Sequence, residues 1–319
     1  MTKLGNLIVS RQGFGAMGLS NAYGQADDAS SIRTVHRAID LGITFFDTAT
    51  GYGAGHNETL LGQAIADRRD KLVIASKFTH RSAGSDPGIR PITARDAVEA
   101  SLKRLGLDHI DLYYLHRVDK SIPVEESVGE LGRLKDEGKI GGVGVSEVSA
   151  DGIRRAHATY PLTALQSEYS LWTREVEIEI LPTVRELGIG FVSYSPLGRG
   201  FLAGSVVTDP QDRRHQHPRF KPDAIAANSI RRKTIEGVAQ RLGVTSAQVS
   251  LAWVLSKAVV PIPGTRHISH LEANWAANDL TLDDKTIVEL EQAFPYGSTV
   301  GTRYPAEMLK SVPSDPVTA

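Results

Sequence analysis

Four side chains of different chemistry stand at one kind of position in this sequence, the end of a short apolar run. Asp47 and Tyr52 lie in Phe45-Phe46-Asp47-Thr48-Ala49-Thr50-Gly51-Tyr52-Gly53, Lys77 follows Leu72-Val73-Ile74-Ala75-Ser76, and His116 follows Ile110-Asp111-Leu112-Tyr113-Tyr114-Leu115. A phenol is a poor acid, with a pKa near ~10. A lysine ammonium ~4 Å away, at an effective dielectric near ~20, favours its ionised form by up to about 4 kcal/mol. A carboxylate can hold that ammonium, and an imidazole can hydrogen-bond the oxygen that takes the proton. The four would together serve proton donation to a developing alkoxide. Singly, each has a plainer reading as a solvated strand end, a cap or a loop anchor; the conjunction argues for chemistry.

The elements that must position them alternate at a steady interval. The runs are β-branched or aromatic and bounded by turn or helix signals, so they read as strands buried on both faces. A hairpin from Leu4 to Ser10, turning at Gly5-Asn6, precedes strands at Gln12–Gly15, Ile43–Asp47, a run ending at Lys77, one ending at His116, Gly141–Ser146, Ala164–Ser167, Gly190–Ser195 and Val259–Ile262. Helices are expected from Ala29 to Leu41, capped by Asp27 or Asp28, and from Glu58 to Ile65. Others run from Thr93 to Leu105, from Pro123 to near Gly138, and from about Ser149. Eight strands, each followed by helix, predict a single (β/α)8 barrel domain over 1–319, and C-terminal strand ends are where such barrels assemble their sites. About fifty residues interrupt the rhythm after the seventh strand: a polar loop, Gly204 to Asp223, and an extra helix, Asn228 to Leu242, before Ala247 to Ser256. Such a loop is expected to cover a site; the tail beyond about 297 is expected to be partly ordered.

Composition sets the outer bounds. A chain of 319 residues, 41% hydrophobic, buries a sizeable core, and on length alone a doubly wound domain with a smaller partner is the alternative. A net charge of −1 gives no electrostatic reason for a nucleic-acid or membrane partner, and the absence of cysteine removes disulfides, thiolate nucleophiles and Cys-based metal sites. With no window of ~18 apolar residues and no signal-like start, a cytoplasmic location is the expectation. Arg213-Arg214-His215-Gln216-His217 has no carboxylate among its histidines and reads as an exposed mobile loop, so no metal site is expected. Gly13-Phe14-Gly15-Ala16-Met17-Gly18 fits the G-x-G-x-x-G dinucleotide fingerprint, but no helix opens after it and no acidic residue ends a strand ~20 positions on. Those glycines read instead as a tight passage from strand to loop. Met17, Tyr23, His80, Arg117, Trp172 and Phe220 are candidates to line a pocket on the catalytic side.

The quartet resembles the catalytic tetrad of the aldo-keto reductases, and the resemblance covers nearly the whole chain. It implies reduction of an aldehyde or ketone with NADPH: Tyr52 as acid, Lys77 and Asp47 tuning it, His116 orienting the carbonyl. It also implies that Gly15 and Met17 lie beneath the cofactor, that Ser146, Glu147 and Gln166 hold the nicotinamide carboxamide, and that Tyr194 stacks on the ring. Ser195, Pro196, Leu197, Gly198, Arg199 and Gly200 match the pyrophosphate loop. Gly264, Thr265, Arg266, His270 and Asn274 match the 2′-phosphate and adenine site. The sequence departs from the family at Glu147, where Asn is common, and at His270 and Ala273 on the last of these helices. An NAD-linked dehydrogenase and a cofactor-bound regulatory or channel-associated subunit are the alternatives, and the oligomeric state is left open.

Overall fold

The computed structural model describes residues 1–20, 22–80, 93–205, 207, 212–310 and 312. The chain opens on an antiparallel hairpin, β1 (Thr2–Leu4) paired with β2 (Leu7–Val9), which starts two residues before the expected Leu4. Gly5 turns it at φ 59°, and a Cβ there would fall 2.2 Å from the carbonyl oxygen of Thr163. Left-handed backbone and close approach both require glycine.

Parallel strands follow in sequence order: β3 (Phe14–Gly15), β4 (Phe45–Asp47), β5 (Val73–Phe78), β6 (Leu112–Leu115), β7 (Val143–Ser146), β8 (Ala164–Glu168), β9 (Gly190–Tyr194) and β10 (Val260–Pro261). Gly13 N donates to Pro261 O at 2.9 Å and Gly15 N to Pro263 O at 3.3 Å, joining the first strand to the last. The sheet closes into a (β/α)8 barrel and leaves no open edge. Its seam is tight: a Cβ on Gly264 would lie 2.3 Å from Gly15 O.

Helices cover the outside: α1 (Asp28–Asp40), α2 (His56–Ile65), α3 (Ala94–Leu105), α4 (Val124–Asp136), α5 (Ala150–Thr159), α6 (Ile180–Glu186), α7 (Pro222–Leu242), α8 (Ser246–Ser256), α9 (Ile268–Ala276), α10 (Asp284–Ala293) and α11 (Ala306–Leu309). Asp27, Thr93 and Ser149 cap α1, α3 and α5 through their side chains, and Gly106 ends α3 in the left-handed conformation. The extra helix before α8 is α7, and it begins at Pro222 rather than Asn228, because proline at the first helical position gives up no hydrogen bond.

Alternation along the strands divides the core in two. Phe45, Leu112, Tyr114, Ala164, Val192, Val260 and Ile262 fill the barrel, with Leu4 and Val9 of the hairpin packed into the same cluster. Phe46, Ile74, Tyr113, Leu115, Val143, Val145 and Leu165 point the other way, into the layer between sheet and helices.

Candidate active site

That alternation decides where the tetrad points. Phe45, Ala75 and Tyr114 face the barrel interior. Two residues further along each strand direction, Asp47, Lys77 and His116 must face the same way. Ser76, between Ala75 and Lys77, faces outward and donates to buried Glu58 at 2.6 Å. Tyr52 comes from the turn after β4, where Tyr52 N donates to Ala49 O and Gly53, Ala54 and Gly55 all take left-handed backbone. Asn57 braces that turn: Thr48 Oγ1 donates to its Oδ1 at 2.6 Å, and its Nδ2 donates to Ala16 O and Ser20 Oγ.

The four side chains converge. Lys77 is fully buried; its Nζ is ion-paired to Asp47 and donates to Thr48 O at 2.7 Å and to Tyr52 Oη at 3.4 Å. Gln166 Nε2 donates to the other oxygen of Asp47 at 2.8 Å. Burial works to discharge Lys77, but the charge of Asp47 and the hydrogen bonds to Asp47 and Tyr52 outweigh it, so the ammonium is held above its usual pKa. Burial also raises the Tyr52 phenol, and Lys77 offsets only part of the rise. The expected net lowering of the phenol is therefore not what the geometry gives: Tyr52 stays protonated, and Lys77 limits the cost of its ionisation. The His116 ring lies edge-on to Tyr52, centroids 5.9 Å apart. Burial first, then Arg117 and Lys77, hold its pKa well below the imidazole value, which makes it a neutral hydrogen-bond donor.

The residues matched to the cofactor fall into three groups on the same rim. Ser146 and Tyr194 end β7 and β9, Glu147 follows β7 and Gln166 lies within β8; Tyr194 Oη donates to Glu147 Oε1 at 2.8 Å, and Glu147 Oε1 also accepts from Glu168 N. Ser195, Gly198, Arg199 and Gly200 all have positive φ, so the turn carrying Pro196 and Leu197 is a tightly coiled loop. Beyond the barrel seam, Gly264 meets Gly15, Arg266 donates to Gly24 O at 3.0 Å, and exposed His270 and buried Asn274 lie on α9. Met17 sits in a 3-10 turn, Ala16–Leu19, after Gly15; no α-helix opens there, in keeping with the rejection of a dinucleotide fingerprint.

Two segments differ from the sequence reading or escape it. Arg213–Gln216 is not a free loop: Arg214 pairs with buried Asp212 at 2.7 Å, donates to Arg199 O and covers the ring of Tyr23, so its charge is spent on the wall of the site. Residues 206 and 208–211, within the expected loop, lie outside the described residues. The stretch 299–304 forms a strap across the rim. Asn228 makes two hydrogen bonds to the backbone of Val300, Arg219 donates to Gly301 O, and His217 Nδ1 lies 3.0 Å from Arg303 O. At its tip Arg303 pairs with Glu147 at 3.2 Å, and Tyr304 Oη lies 2.9 Å from Tyr194 Oη with Arg199 over its ring. No periodicity marks Arg303 or Tyr304; the one signal that could have pointed to them is Glu147, a carboxylate where Asn is common.

The rim is rich in arginine. Arg199 and Arg219 share Glu168 at 3.1 and 3.6 Å; burial pushes that carboxyl up, and the two arginines together with Arg303 outweigh it and hold the pKa below its usual value. Arg117, directly after His116, donates to His116 O at 2.7 Å, to Ser146 Oγ at 3.0 Å and to Tyr304 Oη at 3.4 Å. Among the described residues no cluster of His, Cys, Asp or Glu is placed to hold a metal, and no helix is long and apolar enough to cross a membrane.

The barrel has known counterparts. Residues 12–294 match the Aldo/keto reductase family, and the chain belongs to it. It is 47% identical over 306 residues to the probable aldo-keto reductase 1 of Glycine max, covering 93% of this chain and 88% of that protein. The glycerol dehydrogenase AKR11B4 from Gluconobacter oxydans has the same fold at a TM-score of 0.79 and 28% identity, over 98% of this chain and 95% of that one. An aldo-keto reductase from Klebsiella pneumoniae, solved in complex with NADPH, gives 0.75 and 28% over 94% and 98%.

Proposed function

We propose that this chain reduces an aldehyde or ketone to the alcohol with NADPH, as a single cytoplasmic barrel domain over 1–319, and that Tyr52 is the general acid. The observation that carries the reading is Lys77, wholly buried, with its ammonium between the carboxylate of Asp47 and the phenol of Tyr52. A barrel core has no structural need for a buried ammonium. Its charge is useful where a proton leaves the neighbouring phenol.

The chemistry of the rim suits a polyanionic cofactor: Arg199, Arg214, Arg219 and Arg303 outnumber Glu147, Glu168 and Asp212. Tyr194, Ser146 and Gln166 would hold the nicotinamide end, the coiled turn 195–200 the pyrophosphate, and Thr265 and Arg266 the 2′-phosphate. When bound, NADPH supplies the hydride. The protein does the rest: neutral His116 donates a hydrogen bond that orients the carbonyl oxygen, Tyr52 gives that oxygen its proton, and Lys77, held by Asp47, stabilises the phenolate left behind.

Tyr52→Phe keeps the ring and removes the proton. Turnover of 4-nitrobenzaldehyde should fall by roughly 10²- to 10⁴-fold, with NADPH affinity nearly unchanged. Wild-type-like turnover by the variant would end the assignment.

A further inference from the structure

Among the described residues, four of the five arginines gathered around the tetrad and the strap meet a carboxylate. Arg199 and Arg219 have Glu168, Arg214 has Asp212, and Arg303 has Glu147. Arg117 has a backbone carbonyl and two hydroxyls, and among the described residues none of its hydrogen-bond or ion-pair partners is an acid. A guanidinium carries five N–H donors, so three such bonds leave it capacity to bind more. It is partly exposed, lies 6.0 Å from the Tyr194 ring, and acts electrostatically on both Tyr52 and His116. Its charge therefore stands beside the groups that receive the carbonyl, and its position is fixed from both sides by Ser146 at the end of β7 and Tyr304 of the strap.

We propose that Arg117 is a specificity-determining residue that anchors a carboxylate on the substrate, so that the site prefers carbonyl compounds bearing an acid group over neutral ones of the same shape. The inference rests on the carbonyl-reductase reading and narrows its substrate class. A carboxylate is planar and takes two parallel N–H bonds from a guanidinium, which a nitro group of the same outline takes only weakly. The same fixed charge adds to burial in keeping His116 neutral.

The test compares 4-carboxybenzaldehyde with 4-nitrobenzaldehyde, which differ in charge and little in shape, in wild type and in Arg117→Met. Wild type should favour the carboxylated aldehyde in kcat/KM by roughly ten- to a hundredfold, and the variant should lose that preference while still reducing the nitro compound. Equal use of both aldehydes by wild type, or a preference that survives in the variant, overturns the inference and leaves the reductase reading standing. The same ratio is measured as binding, by calorimetry, of 4-(hydroxymethyl)benzoate and 4-nitrobenzyl alcohol. If no aldehyde is reduced yet the benzoate binds more tightly in wild type alone, the reductase reading fails and the anion anchor stands; equal affinities in the two proteins overturn the anchor.

Discussion

Lys77 has no exposed surface, and its ammonium and the Asp47 carboxylate hold each other in the barrel. Removing one member of a buried pair leaves the other uncompensated, at a cost of about 3–5 kcal/mol. Lys77→Met should lose stability on that scale in urea unfolding. Adding Asp47→Asn should recover most of it without restoring turnover; a double variant no more stable than the single one would show that the pair is not what was lost. His116 gives the pH dependence. Its folded pKa is depressed, chiefly by burial, below the ~6.5 of a free imidazole. Between those two values the unfolded chain binds a proton that the folded one does not, so stability is complete above about pH 6.5 and falls as pH drops through the window. The melting temperature should decline on acidification from there, and His116→Asn should shallow the decline. His217 and His267, also depressed by burial, leave part of the slope in place.

At the scale of elements, the strands were readable because their pattern is local. Short apolar runs put Asp47, Lys77 and His116 at strand ends, Asp27, Thr93 and Ser149 marked helix starts by side-chain chemistry, and Gly106 marked a helix end by its backbone freedom. The walls of the site were not, because their partners lie far off in sequence: Glu147 and Arg303 are 156 residues apart. Arg214 read as a free loop cation because nothing local says that it covers Tyr23. The loop after β10 is an intermediate case, with Thr265 and Arg266 suggested by resemblance. Arg266 also ties Gly24, and that sharpens its test. Arg266→Ala should weaken NADPH by roughly ten- to a hundredfold and leave NADH nearly unchanged. Equal weakening of both cofactors would reduce Arg266 to its bridge with Gly24, and a wild type that already prefers NADH would favour the NAD-linked alternative.

The whole molecule depends on the strap in a way the barrel does not. The sheet is complete at β10, while Glu147 gains its cation and Tyr194 its phenolic neighbour only from residues 303 and 304. Arg303→Met keeps the strap but strips buried Glu147 of its cation, and should cost about 3–5 kcal/mol in urea unfolding. Adding Glu147→Gln should recover part of the loss, and no recovery would place the contribution of Arg303 elsewhere. The arrangement also sets an order in time. Residues 262 to 304 follow the last strand, and at about 5–20 residues per second the ribosome adds them in roughly 2–9 s. Until Arg303 and Tyr304 arrive, a chain whose ladder is already closed has its mouth unwalled, with the Glu147 carboxylate short of its cation.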